Sequence, residues 1–162
     1  MTSFTYIDSP LGRLLLAAEE SALTGLWIEG QRYFASTLPE NAIRNDGLKI
    51  FLDVRCRLDA YFAGGALGAL PALSPPGTAF RKTVWNELLK IPRGTTVTYG
   101  ELAERVRQLS GRPTSPRAVA GAVAHNPISL LIPCHRVVAA NGIGGYAGGT
   151  DRKLWLLNLE RN

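Results

Sequence analysis

Residues 98–124 read TYGELAERVRQLSGRPTSPRAVAGAVA, and the punctuation of this stretch decides how the second half of the chain folds. Thr98 followed three residues later by Glu101 is a capping box that opens a short helix running to about Leu109. Ser110-Gly111-Arg112-Pro113 is a turn, Ser115 is an N-cap and Pro116 occupies the first helical position, so a second helix starts soon after the first stops. Two short helices joined by a tight Gly/Pro turn suggest a helix-turn-helix, although any two-helix hairpin carries the same pattern.

Upstream, Thr78 caps a helix with an apolar face of Phe80, Val84, Trp85, Leu88 and Leu89, stopped by Ile91-Pro92-Arg93-Gly94. Residues 64–78 hold four glycines and three prolines, too many breakers for a regular element. Before them, about Gly47 to Tyr61 reads as a helix with Leu48, Phe51, Leu52, Leu58 and Phe62 mostly on one face and Cys56 as a core thiol. The first 30 residues read as three strands, Phe4–Ile7, Leu14–Ala18 and Leu23–Ile28, turned by Ser9-Pro10-Leu11-Gly12 and Glu19-Glu20-Ser21. The expected class is α+β: a small N-terminal antiparallel sheet with a helix (1–63), a Gly/Pro-rich linker (64–77), and a mainly helical domain containing the helix-turn-helix (78–162).

The 162 residues are 46% apolar and 19% charged, which suits a globular core, and the net charge is +5. Residues 1–79 carry 6 Lys/Arg against 8 Asp/Glu, whereas residues 80–162 carry 12 against 5. The positive field therefore belongs to the second half, as an electrostatic footprint on a phosphate backbone requires, although a basic half also serves plain solubility. Within it, the helix after Pro116 is small-sided, Ala118-Val119-Ala120-Gly121-Ala122, which permits close approach of a neighbouring helix or of a ligand. Arg117 sits in its first turn, where the macrodipole disfavours a cation by a few tenths of a kcal/mol. It is either an exposed charge or an arginine that enters a DNA stack or groove. No apolar run approaches the ~20 residues of a membrane span, and the start lacks the features of a signal peptide, so a cytoplasmic protein is expected. Two cysteines and two histidines do not suit a structural zinc site.

The run Ile128–Ile132 looks like a buried strand that delivers the chain to Pro133-Cys134-His135-Arg136-Val137. A thiol with an imidazole next door is a nucleophile with a base, although adjacent side chains rarely face each other, so the pair needs a water relay or a sharp turn. The equally open alternative is a buried Cys followed by an incidental His. Asn141–Gly149 packs five glycines before a helix N-capped by Thr150, but lacks the Gly-Lys-Ser/Thr ending of a phosphate-binding loop; one tyrosine in a flexible loop better fits a wall around a flat ligand. Glu160 lies in the last turn of that helix, where an acid is disfavoured; either the end is solvated or the carboxylate has a partner such as His135.

These residues resemble the O6-alkylguanine-DNA alkyltransferases, also called methylated-DNA-protein cysteine methyltransferases. The resemblance rests on Pro133-Cys134-His135-Arg136-Val137 together with Val97–Ala103, Arg117–Ala122, Asn126-Pro127, Gly145–Gly149 and Lys153–Leu157, all in order over about residues 78–160. It implies that Cys134 attacks the alkyl carbon on guanine O6 and keeps it as a thioether, one reaction per molecule. It implies His135 as proton acceptor through a water, Glu160 as its orienter, Tyr99 as donor to the departing guanine, and Asn126 as a brace of the active-site turn. Arg117 would fill the place of a flipped base, with Ala118, Gly121, Ser115 and Tyr99 on the DNA face; Val137, Tyr146, Ala147, Gly148 and Lys153 would wall the pocket. The implied partner is double-stranded DNA carrying O6-alkylguanine, with O4-alkylthymine left open, bound by a monomer without metal or cofactor. Ala147 stands where some members carry serine, and Cys56 alone cannot supply the zinc ligands of others. Competing expectations are a non-catalytic reader of alkylated DNA of the same architecture and a hydrolytic Cys-His enzyme.

Overall fold

The computed structural model describes all 162 residues as two compact units, Met1–Pro76 with Pro127–Ser129, and Gly77–Asn126 with Leu130–Asn162. The class is α+β, with a small sheet and helix in the first unit and mostly helices in the second.

In the first unit, β1 (Thr2–Ile7), β2 (Leu14–Glu19) and β3 (Ala22–Ile28) form the expected antiparallel meander. The first turn closes as Ser9 Oγ accepts from the Leu11 amide at 3.1 Å and Gly12 adopts φ 108°. The sheet is nevertheless mixed, because β4 (Ile43–Arg44) pairs with β1 in parallel. Alternation along β2 puts Leu15 and Ala17 on one face, where they cluster with Trp27 under Phe34, Ala35 and Leu38 of the loop that follows β3. A bulge between Ala17 and Ala18 faces β3 near Gly25, whose missing side chain leaves room for the Trp27 ring; a Cβ there would lie 2.2 Å from it.

Helix α1 (Lys49–Phe62) packs against β2. Its buried residues are Phe51, Val54, Leu58 and Tyr61, and this phase corrects two expectations. Leu52 is 54% exposed and Cys56 is exposed rather than a core thiol, since both point away from the stripe that Val54 defines.

In the second unit, α2 (Ala79–Leu88), α3 (Tyr99–Ser110) and α4 (Pro116–Ala124) pack on one another. The caps expected for these three helices form: Thr78, Thr98 and Ser115 hydroxyls accept from the Arg81, Glu101 and Ala118 amides at 3.1–3.2 Å. Gly111 ends α3 in the left-handed conformation, φ 67°, so α3 and α4 are joined by residues 111–115. Trp85 Nε1 donates to the Ala122 carbonyl at 2.8 Å, locking α2 to α4. Phe80 and Leu89, expected on the buried face of α2, are 37% and 39% exposed; they flank the stretch Val84–Leu88 that meets α3 and α4.

Two short features complete this unit. Val97–Thr98 (β5) pairs in parallel with Val137–Val138 (β6), and α5 (Thr150–Arg161) closes the chain. Thr150 is the first helical residue of α5 rather than its cap; Gly149, at φ 95°, takes the cap position without a side chain to contribute. The run Ile128–Ile132 is buried as expected but is a turn and not a strand: Leu130 adopts φ 73°, and only Ile128 bridges, to Leu26 within the first unit.

Candidate active site

The chain approaches Cys134 through a tight turn. Pro133 (φ −81°, ψ 67°) is the centre of an inverse γ-turn in which the Cys134 amide donates to the Ile132 carbonyl at 2.8 Å. Asn126 Nδ2 donates to the same carbonyl at 2.8 Å, so one buried side chain braces the turn from the end of α4. Cys134, His135 and Arg136 then form a single 3₁₀ turn, and β6 follows at once. Because β5 immediately precedes Tyr99 and pairs with β6, the two-residue ladder brings the start of α3 beside the thiol; the Cys134 charge acts on the Tyr99 hydroxyl.

Cys134 is 4% exposed, and Asn126, Tyr146 and Lys153 all act on its thiol. Burial pushes the thiol up, whereas hydrogen bonds from Asn126 and Tyr146 and the Lys153 ammonium pull the other way. His135 is buried completely, its Nε2 is 2.8 Å from Glu160 Oε2, and its Nδ1 has no partner in the protein. Burial pushes the imidazole below its ordinary value, and the Glu160 carboxylate offsets this only in part. Of the two alternatives for Glu160, the structure therefore gives the partnered one.

The acid is held by a second group that sequence reasoning did not single out. Arg136 donates from Nε and a terminal nitrogen to the two Glu160 oxygens at 2.9 and 2.8 Å, and from the other terminal nitrogen to the Ile91 carbonyl at 2.7 Å. Its signal was a cation next to the His, 24 residues from an acid in an unfavourable helix position.

Lys153 has no exposed surface. Its Nζ donates to the Val137 and Gly145 carbonyls at 2.5 and 2.9 Å, and burial lowers its pKa to about 8. Tyr99 hydroxyl meets the same Gly145 carbonyl at 3.4 Å, and burial together with the Cys134 charge raises the phenol above its ordinary value. Gly144, at φ 74°, allows the loop to pass Tyr99; a Cβ there would lie 3.4 Å from its ring. Tyr146 stands edge-on to His135 with centroids 6.4 Å apart, and its ring lies where a Gly148 side chain would go, 2.5 Å from that Cβ. Val137 and Gly148 are buried and Ala147 is half-buried. The structure thus gathers Cys134, His135, Glu160, Asn126, Tyr99, Val137, Tyr146, Gly148 and Lys153.

Ser115, Arg117, Ala118 and Gly121 form a separate, exposed face of α4. Arg117 makes no hydrogen bond or ion pair within the chain, and a side chain at Gly121 would meet open space. Ser115 spends its hydroxyl on the helix cap. No group of three or more His, Cys, Asp or Glu is placed to hold a metal ion, and no helix is long and apolar enough to cross a membrane.

A buried thiol followed in the chain by a carboxylate-paired imidazole, in a unit whose α4 presents an exposed arginine, marks a candidate cysteine site, and comparison with known proteins gives the chain a family. Residues 79–162 match the family model for the 6-O-methylguanine DNA methyltransferase DNA binding domain, and residues 3–67 match that for its ribonuclease-like domain. The chain belongs to this family. It is 44% identical over 160 residues to the methylated-DNA–protein-cysteine methyltransferase of Mycobacterium leprae, covering 96% of this chain and 90% of that one. The Methanosarcina acetivorans protein of the same name is 40% identical, covering 97% of each. Among solved structures, Mycobacterium tuberculosis OGT in complex with DNA superposes with a TM-score of 0.86 at 41% identity, covering 98% of this chain and 92% of that one. A Methanococcus jannaschii O6-methylguanine DNA methyltransferase gives 0.70 at 30% identity, covering 97% and 93%.

Proposed function

We propose that this protein repairs DNA by moving an alkyl group from O6 of guanine irreversibly to Cys134, one group per molecule. The observation that carries the reading is the buried His135, next in the chain to Cys134, with Nε2 2.8 Å from Glu160 and Nδ1 without a partner in the protein. Through one water, Nδ1 takes the thiol proton as Sγ attacks the alkyl carbon; the S–C bond forms as the C–O6 bond breaks, and the electron pair leaves with guanine. Tyr99, kept protonated by its raised pKa, donates a proton or hydrogen bond to the departing base. Asn126 holds the thiol's turn, and Lys153 supports the thiolate while fixing the Gly145 carbonyl. A thioether is not opened by water, so the protein is consumed.

The target carbon is buried in a stacked duplex, so the base is flipped into the pocket walled by Val137, Tyr146, Ala147 and Gly148. The pair α3–α4 acts as a helix-turn-helix whose small face, Ala118 and Gly121 with Ser115, enters the minor groove, and the unpartnered Arg117 fills the gap in the stack. Residues 78–162 carry both tasks in a monomer. A reader that binds the lesion without chemistry has no need of a thiol with an oriented base. The test is stoichiometry: with excess oligonucleotide bearing labelled O6-methylguanine, label on the protein rises to one equivalent and stops, whereas continued turnover overturns the reading.

Arg117→Ala is expected to slow repair in duplex DNA and leave reaction with free O6-alkylguanine base unchanged. Losing only ~1.4 kcal/mol of support for the flipped state slows the duplex reaction about tenfold. Single-turnover rates on both substrates check this, and equal losses contradict it.

The pH profile is expected to fall on its alkaline side near pH 8. Below that value Lys153 is an ammonium that favours the negative charge developing on sulfur as its proton leaves; above it that charge is lost, so the rate declines even as free thiols ionise. Single-turnover rates from pH 6 to 9.5 check this, and a steady rise to pH 9 contradicts it.

A further inference from the structure

The chemistry proposed above needs His135 in one of two tautomers, and the structure shows what selects it. Nε2 must carry the proton, so that Nδ1 keeps its lone pair. A histidine beside a carboxyl group can equally end as an imidazolium, or face a carboxyl that has taken the proton itself, and in either state Nδ1 is no base. Which state forms depends on what else binds the carboxylate.

We propose that Arg136 is a positioning residue of this site: its guanidinium holds Glu160 as a carboxylate that only accepts, which fixes the Nε2–H tautomer of His135 and leaves Nδ1 free to act. Three distances carry it. Both Glu160 oxygens receive an Arg136 nitrogen, at 2.9 and 2.8 Å, and the third arm of the fork is anchored on the Ile91 carbonyl at 2.7 Å. The fork is planar and permanently charged, and Glu160 has a side chain 1% exposed, so protonating it would strand a buried cation. With its oxygens ionised, the Oε2 that meets Nε2 at 2.8 Å can do nothing but accept.

The same cation limits how strongly His135 holds a proton. Glu160 alone favours the imidazolium; Arg136 and, further off, Lys153 of α5 oppose it, as does burial. The Tyr146 ring stands edge-on to the imidazole with centroids 6.4 Å apart, and Cys134 precedes the histidine in the chain. Helix α2 also packs against the 3₁₀ turn, and its one buried acid, Glu87, is paired with Lys90 at 2.7 Å. Removing Arg136 therefore leaves Glu160 unopposed and makes His135 more basic, which closes the site at pH values where it now works.

This inference rests on the proposed role of His135, and two measurements separate its failure from the failure of that role. In the unaltered protein, ¹⁵N and ¹³C NMR of His135 is expected to show a neutral Nε2–H imidazole at pH 7; an Nδ1–H tautomer or an imidazolium overturns the inference and needs no alkyl transfer to be seen. In Arg136→Met, the acid-side midpoint of the single-turnover alkylation rate is expected to move up by about one pH unit, and in Arg136→Lys, which keeps the charge, to return most of the way. A folded Arg136→Met protein with a lower rate but an unmoved midpoint shows a merely structural arginine and overturns the inference. If that variant does not fold, the NMR tautomer decides. Correct His135 titration in a protein that transfers no alkyl group would instead sink the repair reading and leave the Arg136 assignment standing.

Discussion

Cys134→Ser is expected to abolish alkyl transfer while leaving the protein folded and bound to lesion-bearing duplex. A hydroxyl at the same place keeps the γ-turn, the Asn126 brace and the volume of the site. What it loses is nucleophilicity: a thiol ionises many orders of magnitude more readily than a hydroxyl, and in-line attack on carbon needs the anion, so a rate loss of at least ~10³-fold follows. His135 cannot compensate, because its burial holds it below the ordinary imidazole pKa and makes it too weak a base to ionise an alcohol. The variant separates chemistry from binding. Alkyl transfer is read on a labelled oligonucleotide, and affinity for the same duplex by a binding isotherm. Residual transfer within tenfold of the parent protein would remove Cys134 from the reaction, and lost binding together with a lowered melting temperature would show that the thiol holds the fold.

Glu160→Ala is expected to cost both stability and rate. Truncation leaves the Arg136 guanidinium, 10% exposed, without its anion, and leaves His135 Nε2 without an acceptor. An uncompensated buried charge of this kind costs about 3–5 kcal/mol. At an exposed position near a helix C-terminus the same change would be neutral or slightly favourable, because the macrodipole repels an acid there by a few tenths of a kcal/mol. The sign of the result therefore distinguishes a buried clamp from a solvated helix end. Urea unfolding reads the stability and single-turnover kinetics the rate; a stability change below ~0.5 kcal/mol would contradict the clamp.

Much of the fold was legible because its signals are local. A hydroxyl before a helix has one nearby use, so Thr78, Thr98 and Ser115 announced three helix starts that the structure places where they stand. Short apolar runs set between two turn clusters marked β1 to β3. The misjudged elements lacked such signals. β4, β5 and β6 are two residues each, too short to show a period, yet β5 and β6 bring Tyr99 beside Cys134. An unbroken apolar run such as Ile128–Ile132 says that it is buried, not how its backbone runs, and the left-handed Leu130 is invisible in residue type. On α1 an error of phase, Leu52 taken for the stripe that Val54 belongs to, turned Cys56 inward when it faces out.

The site divided in the same way. The Cys-His pair and the misplaced acid at Glu160 were visible as anomalies, and the resemblance to the alkyltransferases joined them. The Arg136 fork and the Lys153 bonds to two carbonyls were not visible, because both depend on how α5 returns over the 3₁₀ turn, a contact set by packing across 8 to 24 residues. Dipole cost was the useful warning: a residue that sits where local electrostatics oppose it is held there by a tertiary partner.

Repair by this protein comes down to the fate of one sulfur atom. Peptide mass mapping after incubation with duplex carrying a single O6-methylguanine is predicted to find one methyl group on the Cys134 peptide, one equivalent per protein chain, and restored guanine in the DNA. An unmodified Cys134 peptide, or methyl carried by the exposed Cys56 instead, would contradict it.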